Sequence, residues 1–212
     1  MLILMNILNN FVVLEGGDGS GTTTQLKKLR EKFDNEAGLP ILYDTFEPTN
    51  SPIGVLIRKS MRSELPLENE TIALLFAADR NEHLNGPDGI KKRSKRGELT
   101  VCDRYVFSSL VYQGITCGEE FPALLNLAFP MPELTIYLDI DPKTALKRIE
   151  SRTQREIFET DEFQIRVRDR YKKVVSAYKN EARIIIIDAS MPVDDVFAEV
   201  WRNIHELPIF KR

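Results

Sequence analysis

Apolar runs of strand length recur along the chain, separated by longer stretches whose apolar positions repeat with helical spacing. The pattern predicts strands at Phe11–Leu14, Ile41–Phe46, Leu99–Cys102, Leu134–Leu138 and Arg183–Ile187. Helices are expected from about Thr23 to Phe33, from Pro52 to Met61, from Pro66 to about Lys95 and from about Val193 to His205. Strands alternating with helices imply an α/β fold: five parallel strands joined by crossover helices, with helices on both faces. Polar strings follow several strands, at Glu15 onward, at Glu47-Pro48-Thr49, at Asp103-Arg104 and at Asp139. In an open α/β sheet ligands bind beyond the strand C-termini. Polar residues also merely end strands, but so many at one edge favour a shared site.

Composition narrows the picture. The 212 residues suit one domain, 1–212, large enough for a full core. A net charge of −3 and a pI near 5.6 argue against general nucleic-acid binding. Basic residues concentrate between Arg148 and Arg170. Cys102 and Cys117 lack the spacing of a zinc site or a disulfide framework, and read as reduced thiols. Residues 1–9 are apolar without a basic start or a cleavage site, and no stretch is long enough to span a membrane. A cytoplasmic protein is expected.

The chemistry starts at Gly16-Gly17-Asp18-Gly19-Ser20-Gly21-Thr22-Thr23-Thr24. A P-loop has glycine, four residues, glycine, lysine, then serine or threonine. Gly16, Gly21 and Thr23 fit, but Thr22 stands at the lysine position. Loop amides and the following helix N-terminus bind phosphate without side chains, and Thr23 keeps a hydroxyl for Mg²⁺. What is missing is the ammonium that follows the β- and γ-phosphates.

Other strings have two readings each. Phe76 and Arg80 lie four apart on one helix face. By spacing alone they are an aromatic core contact and a solvated arginine; a base-stacking ring and an edge-reading guanidinium fit as well. Asp103-Arg104-Tyr105 could be a strand-end ion pair, or a catalytic carboxylate, Asp103, that helps hold Mg²⁺ through water or accepts a proton, beside a phosphate-binding arginine. Arg148, Arg152, Arg155, Arg166, Arg168 and Arg170 could line a solvated helix or a basic lid.

Together the strings resemble the thymidylate kinase family from Phe11 to about Trp201. They are Glu15 to Gly21, Glu47-Pro48-Thr49 with Gly54 and Arg58, Leu75 to Arg80, Asp103-Arg104-Tyr105 with Ser108-Ser109 and Tyr112-Gln113-Gly114, Tyr137-Leu138-Asp139, and Ile187-Asp188-Ala189. The resemblance implies a P-loop NTPase-type sheet with a helical lid at about 149–161, and Mg²⁺-dependent phosphoryl transfer from ATP to dTMP for dTTP synthesis. It implies that Phe76 stacks on thymine, Arg80 reads its edge, and Ser109 and Gln113 add base contacts. Tyr112 would wall the sugar, Asp18 would take the 3′-OH, and Glu47 would belong to the dTMP site. Arg58 and Arg104 would hold the dTMP phosphate. Thr23 and Asp103 would serve the metal, and Arg148 would lie against adenine. Because position 19 is glycine, the catalytic arginine would come from the lid, as Arg152 or Arg155. The resemblance also implies a homodimer, with the segment 67–95 (Ile72, Leu75, Phe76) and the helix 108–114 as candidate faces. Two rivals follow from the sequence: a weak or inactive nucleotide-binding regulator, because of Thr22, and a kinase for another nucleoside monophosphate such as dUMP.

Overall fold

In the computed structural model, which describes residues 6–149 and 161–211, five parallel strands form one sheet in the order β2-β3-β1-β4-β5. The strands are β1 (Ile7–Gly16), β2 (Leu42–Phe46), β3 (Leu99–Asp103), β4 (Met131–Asp139) and β5 (Ile184–Asp188). Their inner positions are apolar on both sides, as a sheet covered on both faces requires. In β1, Phe11 and Val13 enter one core cluster, while Val12 and Leu14 enter the other.

Helices α3 (Asn69–Asn85), α4 (Ile90–Lys95), α5 (Val106–Thr116) and α8 (Asp161–Tyr178) cover the first face, with Leu84, Ile90, Val111 and Tyr171 fully buried. Helices α1 (Thr22–Asn35) and α9 (Val193–His205) cover the other, through Leu29, Val200 and Ile204. The remaining helices are α2 (Pro52–Met61), α6 (Glu120–Asn126) and α7 (Pro142–Ile149). Helix α2 starts as its sequence dictates, with Ser51 Oγ accepting from the Gly54 amide at 3.1 Å and Pro52 in the first turn.

The expected helix 66–95 is corrected: it is two helices, broken between Asn85 and Ile90. Pro87 disfavours helical geometry at Gly86, and Gly86 itself is a poor helix former. The first strand is longer than expected because Ile7 and Leu8 pair with Met131 and Pro132. The isoleucine run forms β5 at the sheet edge, where Ile186 is 60% exposed. No helix among the described residues is long and apolar enough to cross a membrane.

The strand order switches at β1: the sheet grows from it toward β3 and β2 on one side and toward β4 and β5 on the other. The glycine loop leaves β1 at this switch point, where an open sheet leaves a crevice.

Candidate active site

A cavity of about 750 Å³ occupies that crevice. Its walls bring together the glycine loop, Glu47, Arg58, Phe76, Arg80, Arg104, Ser109, Tyr112, Gln113 and Arg148. Sequence positions more than a hundred residues apart thus meet in one space large enough for two small ligands.

The loop is built by its own backbone. Ser20 N donates to Gly17 O at 3.1 Å, and Gly19 and Gly21 take φ of 79° and 97°, which only glycine adopts cheaply. A side chain at position 19 would also drive its Cβ into the backbone carbonyl of Ala145 on α7. The loop itself therefore has no room for an arginine there. Thr22 opens α1 and is buried, so the usual lysine position holds no charge.

Thr23 Oγ donates to Asp103 Oδ2 at 2.6 Å, and Asp103 Oδ1 is buried with no partner among the described residues. A hydroxyl and a carboxylate with a spare oxygen are the hard donors that Mg²⁺ takes. These residues fit the ion.

At the next corner Arg104 has φ of 70°, in the left-handed region, which costs a non-glycine residue on the order of 1–3 kcal/mol. Its amide donates to Leu14 O at 2.9 Å, while its guanidinium donates to Gly16 O at 2.8 Å and Asp18 Oδ1 at 2.7 Å. Tyr112, buried beside it, accepts at 3.3 Å, and its hydroxyl is pushed above the ordinary tyrosine range by burial. Asp18 is held from the other side by Gln164 of α8, whose amide nitrogen donates to Oδ2 at 2.7 Å.

The far end is a buried polar network. Glu47 Oε2 accepts from Arg80 Nε at 2.9 Å and lies 2.7 Å from Nη2. Arg80 Nη1 donates to Ser109 Oγ at 3.1 Å and to Asn126 Oδ1, and the guanidinium lies over the Tyr105 ring. Asp79, adjacent on α3, accepts from Thr49 N at 2.7 Å, Thr49 Oγ at 2.6 Å and Ser51 Oγ at 2.7 Å. Helix α3 thus grips both sides of the cis Glu47–Pro48 peptide. Arg58 reaches back from α2 to donate to Pro48 O at 2.6 Å. Gln113 is buried, and its Oε1 has no partner among the described residues.

The family model for thymidylate kinase matches residues 14–200. The chain belongs to the thymidylate kinase family. It is similar to the thymidylate kinase of Geobacillus sp. (strain WCH70), 41% identical over 203 residues that cover 89% of this chain and 92% of the relative. It is also similar to that of Clostridium novyi (strain NT), 38% identical over 201 residues, covering 90% and 95%. The thymidylate kinase of Geobacillus thermodenitrificans is 38% identical over 204 residues, covering 89% and 86%.

For a thymidylate kinase family site, the geometry refines the expected residues. Within the single chain Ile72 is buried, and so is most of the helix 108–114. Phe76 and Arg80 share the cavity wall as their spacing suggested, but Arg80 is only 1% exposed and is not solvated. Arg148 lines the cavity from the end of α7. Arg152, Arg155 and most of the expected lid, 150–160, lie outside the described residues. Arg168 is committed to Asp139, donating to its two oxygens at 2.7 and 2.9 Å, and Arg170 donates to Leu110 O at 3.2 Å.

Sequence reasoning missed a second row of residues. Glu15 accepts from Tyr105 N at 3.0 Å, Ser108 N at 3.2 Å, Ser108 Oγ at 2.6 Å and Tyr171 Oη at 2.9 Å. It joins β1, α5 and α8 beneath the cavity. Burial lifts its carboxyl above the usual range, against the pull of Ser108, Arg104 and Tyr171. A glutamate heading a glycine loop was a visible signal, since a buried charge needs partners.

Proposed function

We propose that this chain transfers the γ-phosphoryl group of ATP to dTMP in a Mg²⁺-dependent reaction, giving dTDP and ADP in the cytoplasm. The observation that carries the reading is the cavity itself. It has phosphate-binding loop amides at one end, and an aromatic ring, a buried arginine and an unpartnered glutamine oxygen at the other.

Phosphoryl transfer asks little covalent chemistry of the protein, so catalysis rests on alignment and on charge. The loop amides and the N-terminus of α1 take donor phosphate oxygens. Thr23 and Asp103 would hold the metal ion, which supplies positive charge against the phosphates. Arg58 and Arg104 face the acceptor phosphate, and Asp18, fixed between Arg104 and Gln164, accepts from the sugar 3′-OH. Phe76 stacks on the base.

Arg80 sets the choice of base. Its Nη1 hydrogens go to Ser109 and Asn126, while Nη2 keeps a hydrogen for a carbonyl edge. Gln113 Oε1 accepts from a ring N–H. A cytosine amino group would face the arginine donor to donor, a mismatch that sites built on hydrogen bonds reject strongly. The positive charge missing at Thr22 is assigned to an arginine of the segment after α7, Arg152 or Arg155. A homodimer would use the exposed apolar residues Leu74 of α3 and Val55 and Leu56 of α2, which pack together as neighbouring helices.

A panel of dTMP, dUMP, dCMP and thymidine with ATP and Mg²⁺, read as ADP formed, tests this. The reading predicts the highest kcat/KM for dTMP and negligible turnover of dCMP. Preference for dCMP or a nucleoside would contradict it, and ligand binding without ADP release would favour the regulatory alternative.

A further inference from the structure

Arg80 is buried with Glu47, and the remaining Glu47 oxygen has a second partner that the nucleotide cavity never touches. His83, one turn along α3 from Arg80, places Nδ1 3.1 Å from Glu47 Oε1. Its Nε2 lies 2.8 Å from Thr45 Oγ on β2. Thr45, Glu47, Arg80 and His83 are all buried, with Thr45 and His83 bordering a second, smaller cleft on their other side. The chain of groups is therefore continuous: β2, imidazole, carboxylate, guanidinium, cavity.

Its geometry fixes a direction. Glu47 follows the end of β2 directly, so the carboxylate is carried on a loop. Arg80, itself held by Asn126, draws it toward α6, while His83 holds its other oxygen toward the sheet. Without the imidazole, Oε1 would be a buried acceptor with no partner, and the carboxylate would rotate to recover one. Arg80 shares that carboxylate and would turn with it.

We propose that His83 is a positioning residue for the acceptor base: by holding Glu47 Oε1 it fixes the angle at which Arg80 presents its free N–H to the nucleobase carbonyl. The inference rests on the assignment of Arg80 to the acceptor base made above. His83 does not line the cavity and acts only through Glu47.

Two substitutions separate this role from simple packing. His83→Asn keeps an amide where Nδ1 lies, facing Glu47; His83→Gln moves the polar group to the place of Nε2, facing Thr45. Steady-state kinetics would be measured for dTMP and ATP with both variants and the unaltered protein. His83→Gln is expected to raise KM for dTMP about tenfold, a typical loss when an aligned contact loosens, with kcat and KM for ATP little changed. His83→Asn is expected to stay within about threefold of the unaltered protein on all three constants. Equal KM for dTMP in all three proteins would overturn the proposal, as would equal losses in both variants or parallel losses for ATP. Where His83→Gln does not fold, His83→Met, an apolar chain of similar length that offers Glu47 no hydrogen bond, takes its place; a raised KM for dTMP alone supports the proposal and an unchanged one overturns it. Failure of the unaltered protein to phosphorylate dTMP would defeat the reading of the base site itself, and is seen before any variant is compared.

Discussion

The two ends of the cavity are organised differently. At the end proposed for the acceptor, Arg80, Glu47, His83, Ser109 and Asn126 are buried and bonded into a polar network. At the other end the walls include the loop backbone, Thr22, Thr23 and Thr24, the stretch from Ala189 to Val193, and Arg148, which is exposed at the end of α7. Rigid, desolvated side chains suit the discrimination of one base from another, because a mismatched group is left unpaired. Backbone amides suit a triphosphate, whose oxygens are alike and need only charge and direction. The loss of a lysine at Thr22 therefore falls on the half whose amides partly cover for it. Had Arg80 been lost instead, Glu47 would be a buried charge without its partner.

Substitutions at the two ends should fail in different ways. Arg80→Met leaves Glu47 buried without its guanidinium, and such broken buried pairs cost about 3–5 kcal/mol. Denaturant unfolding is expected to show that loss, alongside a dTMP site too weak to saturate. At the donor end, Thr23→Val removes the hydroxyl beside Asp103. Between about 10- and 100-fold of kcat should go, as for other groups that orient a metal site, while unfolding midpoint and dTMP affinity stay near those of the unaltered protein. A shared loss of stability in both variants would erase the distinction drawn here.

Gln113→Met sharpens the contrast within the acceptor end. Its Oε1 is a buried acceptor without a partner among the described residues, so an apolar side chain of similar length should stabilise the free protein by about 1 kcal/mol. The same change should raise KM for dTMP about tenfold, the trade expected where a polar atom is kept for a ligand. The smallest effect concerns Asp139. Arg168 holds its carboxyl below the usual aspartate range, with a smaller contribution from Tyr137. Such a pair adds stability above the unfolded pKa and loses it as pH falls through the lowered folded value. Asp139→Asn should destabilise the protein slightly at pH 7, by under about 1 kcal/mol of unfolding free energy for a partly exposed pair, and match the unaltered protein in acid.

Much of this was legible in the sequence, for physical reasons. The glycine loop, Phe76 with Arg80, and Asp103-Arg104 are local strings whose spacing reports local geometry, and the fold brings them to one site. The family they resemble is the one the chain belongs to. What spacing could not show was burial. Arg80 reads as a surface arginine until the end of β2 and α6 supply Glu47 and Asn126, which lie 33 and 46 residues away. Glu15 and Tyr171 are 156 apart, and Asp18 and Gln164 are 146 apart, so no local pattern links them. The break at Gly86-Pro87 was readable and outweighed by the helical periodicity on either side.

The central claim is that an intact acceptor half makes this an active dTMP kinase despite Thr22. ADP release from ATP and Mg²⁺, with and without dTMP, tests it most directly when the unaltered protein and Thr22→Lys are assayed side by side. The account predicts dTMP-dependent turnover in the unaltered protein, raised by less than about tenfold in Thr22→Lys, because it assigns the transition-state charge to an arginine, Arg152 or Arg155. Turnover confined to Thr22→Lys would contradict that assignment of charge and leave a nucleotide-binding protein with a sound acceptor site; dTMP-independent or absent ADP release in both would contradict the account as a whole.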